Sequence, residues 1–171
     1  MSLPNSAASG LPSQYLTFSL AGETFAIGIL SIKEIIQFRG LTEVPMMPRA
    51  VRGVINLRGA VVPVIDLALR FGKPASAAGR RSCIVIVEVS DGGDSPVLGV
   101  MVDAVSEVIE IPPSEIEEAP NFGASIRREF IAGIGKVRGK FVLLLDVSRT
   151  LSLDELAELA LPPQEGVLDA A

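Results

Sequence analysis

The stretch GVINLRGAVVPVIDL, which spans Gly53–Leu67, contains two apolar, β-branched runs separated by the dipeptide Arg58-Gly59. β-Branched residues favour strands, and a short break that contains glycine favours a tight turn in which glycine takes a positive φ. The stretch therefore predicts a β-hairpin. It ends at Asp66, where a carboxylate before a short turn is expected to accept hydrogen bonds from free backbone N–H groups.

The same pattern returns 80 residues later, in the stretch GIGKVRGKFVLLLDV at Gly133–Val147. Five of the fifteen aligned positions are identical, namely Gly53/Gly133, Arg58/Arg138, Gly59/Gly139, Val62/Val142 and Asp66/Asp146. A second pairing, offset by 73 residues, aligns Phe25–Ile36 with Leu98–Ile109 and retains an acid at Glu34/Glu107. Because the two pairings occur in the same order, the chain is predicted to be an internal duplication.

Short β-branched runs elsewhere predict about ten strands and few helices. The segment Leu30–Gln37 fits either a helical turn or a strand, and Ser152-Leu153-Asp154-Glu155 is a capping box that predicts a C-terminal helix. The other predicted strands are Leu16–Leu20, Thr24–Ile29, Thr42–Pro45, Cys83–Val89, Val97–Val102, Val105–Ile111, Ile131–Val137 and Phe141–Leu145.

We therefore expect a mostly β protein built from two small barrels in tandem, with a binding groove between them. The predicted divisions are a flexible leader at 1–13, a first-half barrel at about 14–71, a second-half barrel at about 83–151, a helix at about 152–161 and a tail at 162–171. The Gly/Ala/Ser-rich stretch 72–81 is expected to link the halves.

Composition excludes several classes of function. The chain is 49% hydrophobic and has no histidine, which removes Ser-His and Cys-His catalysis, histidine-ligated metals and a phospho-accepting histidine. A net charge of -5 makes nucleic acid a poor partner. No phosphate-binding glycine loop occurs, and the lone Cys83 lies in an apolar strand. We expect no enzyme, no cofactor and no metal.

The sequence also has no signal-peptide pattern and no apolar stretch of the roughly 20 residues that span a bilayer. A cytoplasmic location is therefore expected.

Two groups of residues leave alternatives open. Arg58 is either a solvated turn residue or a fixed charge for a partner, paired with Glu34. Ile32, Ile35 and Ile36 are either core residues or an exposed docking strip. Three carboxylates follow apolar strands and could serve a hydrolase or hold a metal, although turn capping explains them more simply; they are Asp66, Asp103 and Asp146.

Three stretches carry a resemblance to a known family. Gly53–Leu67 with the following Phe71-Gly72, Leu98–Val108 (LGVMVDAVSEV) and Phe130–Gly135 (FIAGIG) resemble the motifs of the CheW-like domain family. The resemblance runs from about Gln14 to Leu159. It implies two five-stranded SH3-like barrels and a free-standing, non-catalytic chemotaxis adaptor, since no phosphotransfer, ATPase or receiver segment is present.

The same resemblance implies partners and sites. Methyl-accepting receptor tips would occupy a groove between the barrels that draws on Ile32, Glu34, Arg58, Val100 and Val102. The CheW-like domain of a CheA-type histidine kinase would bind near Val44, Pro45 and Gly53. An adaptor of a related chemosensory pathway, such as one that controls pili, remains an alternative.

Overall fold

Apolar, β-rich runs form eleven strands and two short α-helices in residues 13–89, 96–118 and 130–151, which are the residues described by the computed structural model. Single-turn 3-10 helices lie at Ile29–Ser31 and Pro113–Glu115. The strands are β1 Ser13–Leu20, β2 Glu23–Gly28, β3 Ile32–Gln37, β4 Val51–Leu57, β5 Ala60–Asp66, β6 Cys83–Glu88, β7 Val97–Val102, β8 Ala104–Ile111, β9 Ile116–Glu117, β10 Ile131–Val137 and β11 Lys140–Leu145; the helices are α1 Leu67–Arg70 and α2 Val147–Thr150.

Most of the predicted strands are confirmed, and two segments need comment. The ambiguous Leu30–Gln37 segment is a 3-10 turn followed by strand β3. The strand predicted at Thr42–Pro45 is wrong, because only Thr42 pairs, in an isolated bridge with Val54. The predicted helix at 152–161 and tail lie outside the described residues, as does the leader except for its last residue, which begins β1.

The strands form two sheets, one of five strands and one of six. One sheet has the order β3-β6-β7-β5-β4, and we call it the first barrel. The Thr42–Val54 bridge brings the chain that leaves β3 onto β4, so the two edges of this sheet meet. The other sheet, the second barrel, has the order β8-β1-β2-β11-β10-β9, and its edge strands β8 and β9 are consecutive in the chain.

The prediction that each sequence half forms its own barrel is wrong. The hairpin β1–β2, from the first half, joins β8–β11 of the second half, where β2 pairs in parallel with β11. Reciprocally, the hairpin β6–β7 joins β3–β5, where β7 pairs in parallel with β5. The repeated halves therefore exchange their first hairpins. The exchange was not visible in the sequence because duplicated strands offer equivalent pairing partners.

The apolar residues separate into three clusters that follow this architecture. One cluster fills the first barrel around Val64, Ile84 and Met101, and another fills the second barrel around Ile109 and Val142. The largest cluster takes residues from both sheets and lies between them. The faces that the barrels turn toward each other are therefore packed as core.

Aromatic rings and one arginine cross the seam between the barrels. The rings of Phe18, Phe25, Phe71 and Phe130 form a row with successive centroids 5.5–6.0 Å apart. Arg70 is buried beside this row, where its guanidinium carbon lies 4.5 Å from the centre of the Phe130 ring. Its Nε donates to the Thr150 carbonyl over 2.7 Å, which ties α1 to α2. The two barrels are thus joined by both packing and directional contacts.

Candidate functional site

The turn between β4 and β5 holds its arginine in a defined position. Arg58 and Gly59 have φ values of 50° and 89°, so both central residues are left-handed, as in the I′ turns that suit twisted hairpins. The Asn56 side-chain oxygen accepts a hydrogen bond from the Gly59 N–H over 2.9 Å. The predicted hairpin and the positive φ of Gly59 are confirmed, and the left-handed Arg58 was not foreseen.

Arg58 forms an ion pair with Glu34 of β3, as the sequence suggested. The arginine is mostly exposed and the glutamate is about half-buried. The pair joins the two edge strands of the first barrel at its mouth. A guanidinium held in this way presents its remaining donors to a partner at a small entropic cost.

Exposed apolar side chains lie on the elements that carry this ion pair and on the turn that leads into β3. Leu30, in the 3-10 turn that carries the chain from the second barrel to the first, is 99% exposed. Ile35 adjoins Glu34 and is also exposed, and Val61, which faces Asn56 across the hairpin, is 70% exposed. We call this set the β3 surface; its members are Leu30, Glu34, Ile35, Arg58 and Val61.

The three isoleucines of β3 have different environments. A register irregularity between Ile32 and Glu34 changes which face of β3 points into the barrel. Ile36 packs inside the first barrel, Ile32 packs against the core between the barrels, and Ile35 is exposed. Of the three, only Ile35 is exposed, so only Ile35 keeps the docking-strip interpretation open.

The part of the predicted groove at Val100 and Val102 is packed as core. Val100 and Val102 are only 3% and 0% exposed, so the prediction that their side chains line a binding groove is wrong. A void of ≈ 10 Å³ in this seam, lined in part by Phe18 and Val100, is too small for a side chain.

A second exposed set lies in the loop between β3 and β4. Val44, Pro45 and Met46 are exposed, and we call them the loop surface. Gly53 is buried beneath this loop, where a Cβ atom would lie 2.5 Å from the Thr42 carbonyl oxygen. The predicted role of Gly53 as a contact residue is therefore wrong, because it can only act by letting the loop approach β4.

An open groove of about 750 Å³ lies on the first barrel. It runs between β4 and the chain that follows β3, and its lining includes Ile36, Thr42 and Asn56. The groove belongs to the first barrel and not to the seam that the sequence had suggested.

The three strand-end aspartates have structural roles. Asp66 and Asp146 cap α1 and α2, as predicted, by accepting from the N–H groups of Ala68 and Arg149. Asp103 accepts from the Ala21 N–H over 2.9 Å. Across the described ranges, no group of three metal-ligating side chains comes together. These carboxylates support neither the hydrolase nor the metal alternative.

Two further observations complete the description of the surface. In the parts of the chain that the structure describes, no helix is long and apolar enough to cross a membrane. Burial raises the pKa of the Tyr15 hydroxyl on β1 above its usual value, and this tyrosine packs against the core of the second barrel.

Fold and surface together define a double-barrel β protein whose exposed chemistry consists of an anchored ion pair and apolar side chains, as in a protein-binding module. The family model of the CheW-like domain matches residues 14–155, and the chain belongs to this family.

Relatives of known name and structure agree with this assignment. The chain is 30% identical over 144 residues to the Klebsiella aerogenes chemotaxis protein CheW, covering 84% of each chain. It is 35% identical over 141 residues to the Helicobacter pylori chemotaxis protein CheW, covering 82% of each. The crystal structure of the scaffolding protein TtCheW from Thermoanaerobacter tengcongensis superposes with a TM-score of 0.74 at 34% identity, covering 83% of this chain and 89% of that one.

Proposed function

We propose that this chain is a non-catalytic adaptor that couples methyl-accepting chemoreceptors to a CheA-type histidine kinase in bacterial chemotaxis signalling. Membership of the CheW-like domain family supports this role, as do the names of its relatives, which are chemotaxis and scaffolding proteins. The engaged roles of Asp66, Asp103 and Asp146 are consistent with a protein that binds and does not catalyse.

The receptor uses the cytoplasmic tip of its own helical hairpin to contact the β3 surface of this chain. The observation that carries this proposal is the Arg58–Glu34 ion pair, whose arginine sits in a left-handed turn, together with the fully exposed Leu30 on the segment that leads into β3. An amphipathic helix would cover Leu30 and Ile35 with its apolar stripe, and Arg58 would bond a carboxylate or carbonyl at its rim. Ile32 contributes indirectly, because it packs against the core between the barrels and so anchors β3.

The kinase contacts the loop surface through its own CheW-like domain. Val44, Pro45 and Met46 are exposed together, and Met46 takes a left-handed φ of 66° that fixes the loop path. The ion pair of the β3 surface and the loop surface both belong to the first barrel, so a single barrel can bind both partners. Such contacts are individually small, and array avidity would add the remaining affinity.

A fluorescent probe beside Arg58 tests the receptor contact. The probe is attached at Lys33→Cys, on the exposed side of β3, in a Cys83→Ala background, and the protein is titrated with a receptor cytoplasmic fragment. We expect Arg58→Glu to weaken binding at this probe by about tenfold or more, or ~1.4 kcal/mol. Its melting temperature should stay near wild type, since exposed substitutions usually cost under ~0.5 kcal/mol.

Arg80→Glu is the matched control, because it makes the same charge change in the exposed loop before β6. It should bind the receptor fragment like wild type. Wild-type affinity of Arg58→Glu would contradict the receptor contact. If the unaltered protein bound neither the receptor fragment nor the kinase domain, the adaptor function itself would be overturned.

A further inference from the structure

The second barrel carries a counterpart of the β3 surface. Arg138 and Gly139 have φ values of 53° and 78°, so the turn between β10 and β11 repeats the left-handed pair of Arg58 and Gly59. Arg138 reaches Glu107 of β8 over 3.1 Å, as Arg58 reaches Glu34 of β3. These residues match under the two sequence offsets of 80 and 73. The ion pair at the mouth of each barrel is therefore a repeated feature.

Two of the three exposed apolar residues of the β3 surface repeat under the same offsets, whereas Leu30 corresponds to Asp103. Val61 corresponds to Phe141, which is 63% exposed, and Ile35 corresponds to Val108, which is 52% exposed. An exposed phenylalanine is costly to leave in water and gives a large contact area when a partner covers it. We call Glu107, Val108, Arg138 and Phe141 the second-barrel surface.

The charge of the second-barrel surface differs from that of its counterpart. Asn56 and Ala60, on either side of Arg58, correspond to Lys136 and Lys140 on either side of Arg138. The tip of the β10–β11 hairpin thus carries three cations within residues 136–140, in a chain whose net charge is -5. Lys136 lies directly opposite Phe141 across the hairpin, so a cation and the exposed ring share one face.

We infer that the second-barrel surface is a second docking site for a receptor-type amphipathic helix, one whose polar rim is rich in carboxylates. The inference rests on the proposed function, because the occupant is the class of helix assigned there to the β3 surface. The repeated ion pair and apolar positions favour the kind of partner assigned to the β3 surface, an amphipathic helix. The added lysines favour a helix that carries acidic side chains.

An anionic membrane is the less suitable occupant. Glu107 and Glu110 are exposed on either side of Val108 on β8, and both would be repelled by lipid head groups. A helix can instead place a cation or a polar side chain opposite these carboxylates and its own acids opposite the hairpin lysines.

Paired local probes separate the two surfaces. Ser106 is exposed, precedes Glu107 and corresponds to Lys33 under the 73-residue offset. A fluorophore at Ser106→Cys, in the Cys83→Ala full chain, reports on the second barrel as the Lys33→Cys probe reports on the first. Titration with the receptor cytoplasmic fragment should change the signal of both, and sedimentation should show two fragments per chain at saturation.

Substitution of Arg138→Glu together with Phe141→Ser should weaken binding at the Ser106 probe by about tenfold or more while leaving the Lys33 probe unchanged. Both side chains are exposed, so a wild-type melt is expected, and Arg80→Glu again serves as the control.

Three outcomes overturn the inference. A silent Ser106 probe beside a responding Lys33 probe, with one fragment per chain, rejects the second site and leaves the proposed function standing. Two silent probes reject the proposed function as well. A Ser106 probe that responds to phosphatidylglycerol vesicles but not to the receptor fragment assigns the surface to lipid.

Discussion

Asp66 and Asp146 occupy equivalent positions in the repeat, but Asp66 accepts more hydrogen bonds than Asp146. Asp66 is completely buried, and its two oxygens accept from the Ala68 N–H, the Ser76 N–H and hydroxyl, and Arg52. The loop that contains Ser76 is therefore tied to the first barrel and is not a loose linker. Asp146 is half-buried and accepts from the Arg149 N–H.

Alanine substitution of these two aspartates should separate the stability contributed by helix capping from the stability contributed by buried hydrogen bonds and the ion pair. Asp66→Ala should lower the free energy of unfolding by about 3 kcal/mol, because it leaves the Ala68 and Ser76 donors without their acceptor and breaks the ion pair with Arg52. Asp146→Ala removes a cap alone and should cost about 1 kcal/mol. Urea unfolding of the two variants gives both numbers, and equal losses would show that the Asp66 network adds nothing to capping.

At the scale of single elements, Gly53 controls how closely the loop after β3 approaches β4. Gly53→Ala places a methyl group against the Thr42 carbonyl, which must move and take the Thr42–Val54 bridge with it. We expect a stability loss of roughly 1–3 kcal/mol, as for other overpacked sites, together with weaker binding of the kinase CheW-like domain.

Gly28→Ala is the matched control for this element. Nothing lies within 4 Å of a Cβ built at Gly28, and its φ of -63° is ordinary for alanine. Calorimetric melting and titration with the kinase domain should leave Gly28→Ala at wild-type values. A wild-type melt and affinity for Gly53→Ala would show that the loop tolerates the displacement.

The elements also show how far the sequence could be read. The β4–β5 hairpin, its pairing partner Glu34 and the caps at Asp66 and Asp146 depend on local patterns, and all were predicted. The sequence did not indicate that Leu30 and Ile35 are exposed. Apolar residues of similar strand propensity lie on both sides of the register irregularity in β3, so the pattern alone does not say which of them face outward. Only the three-dimensional register decides which isoleucine faces a partner.

At the scale of the whole molecule, each barrel needs strands from both halves of the chain. We expect neither 1–82 nor 83–171, produced alone, to give a cooperative thermal transition, since β1–β2 and β6–β7 would lack their parallel partners. Mixing the two fragments should restore the transition. Circular dichroism melts test this, and cooperative unfolding of either fragment alone would contradict the need for exchange.

The long-range pairing also explains why burial at Val100 and Val102 could not be foreseen. Both are apolar residues of a strand that the duplication assigns to its own half, where one face would be free for a ligand. In the exchanged arrangement β7 instead lies between β5 and β6, and these two valines pack in the core shared by the barrels. Strand identity was thus predictable, and strand partnership was not.

The exchanged hairpins have a consequence for how the chain folds during synthesis. β1 and β2 leave the ribosome first, yet their partners β8 and β11 follow only after about eighty or more further residues. Phe18 and Phe25 stay incompletely covered through that interval, because the strands β8 and β11, which complete their burial, have not been made. Closing such distant contacts is slow, so the nascent hairpin is the segment most exposed to aggregation and to chaperone capture.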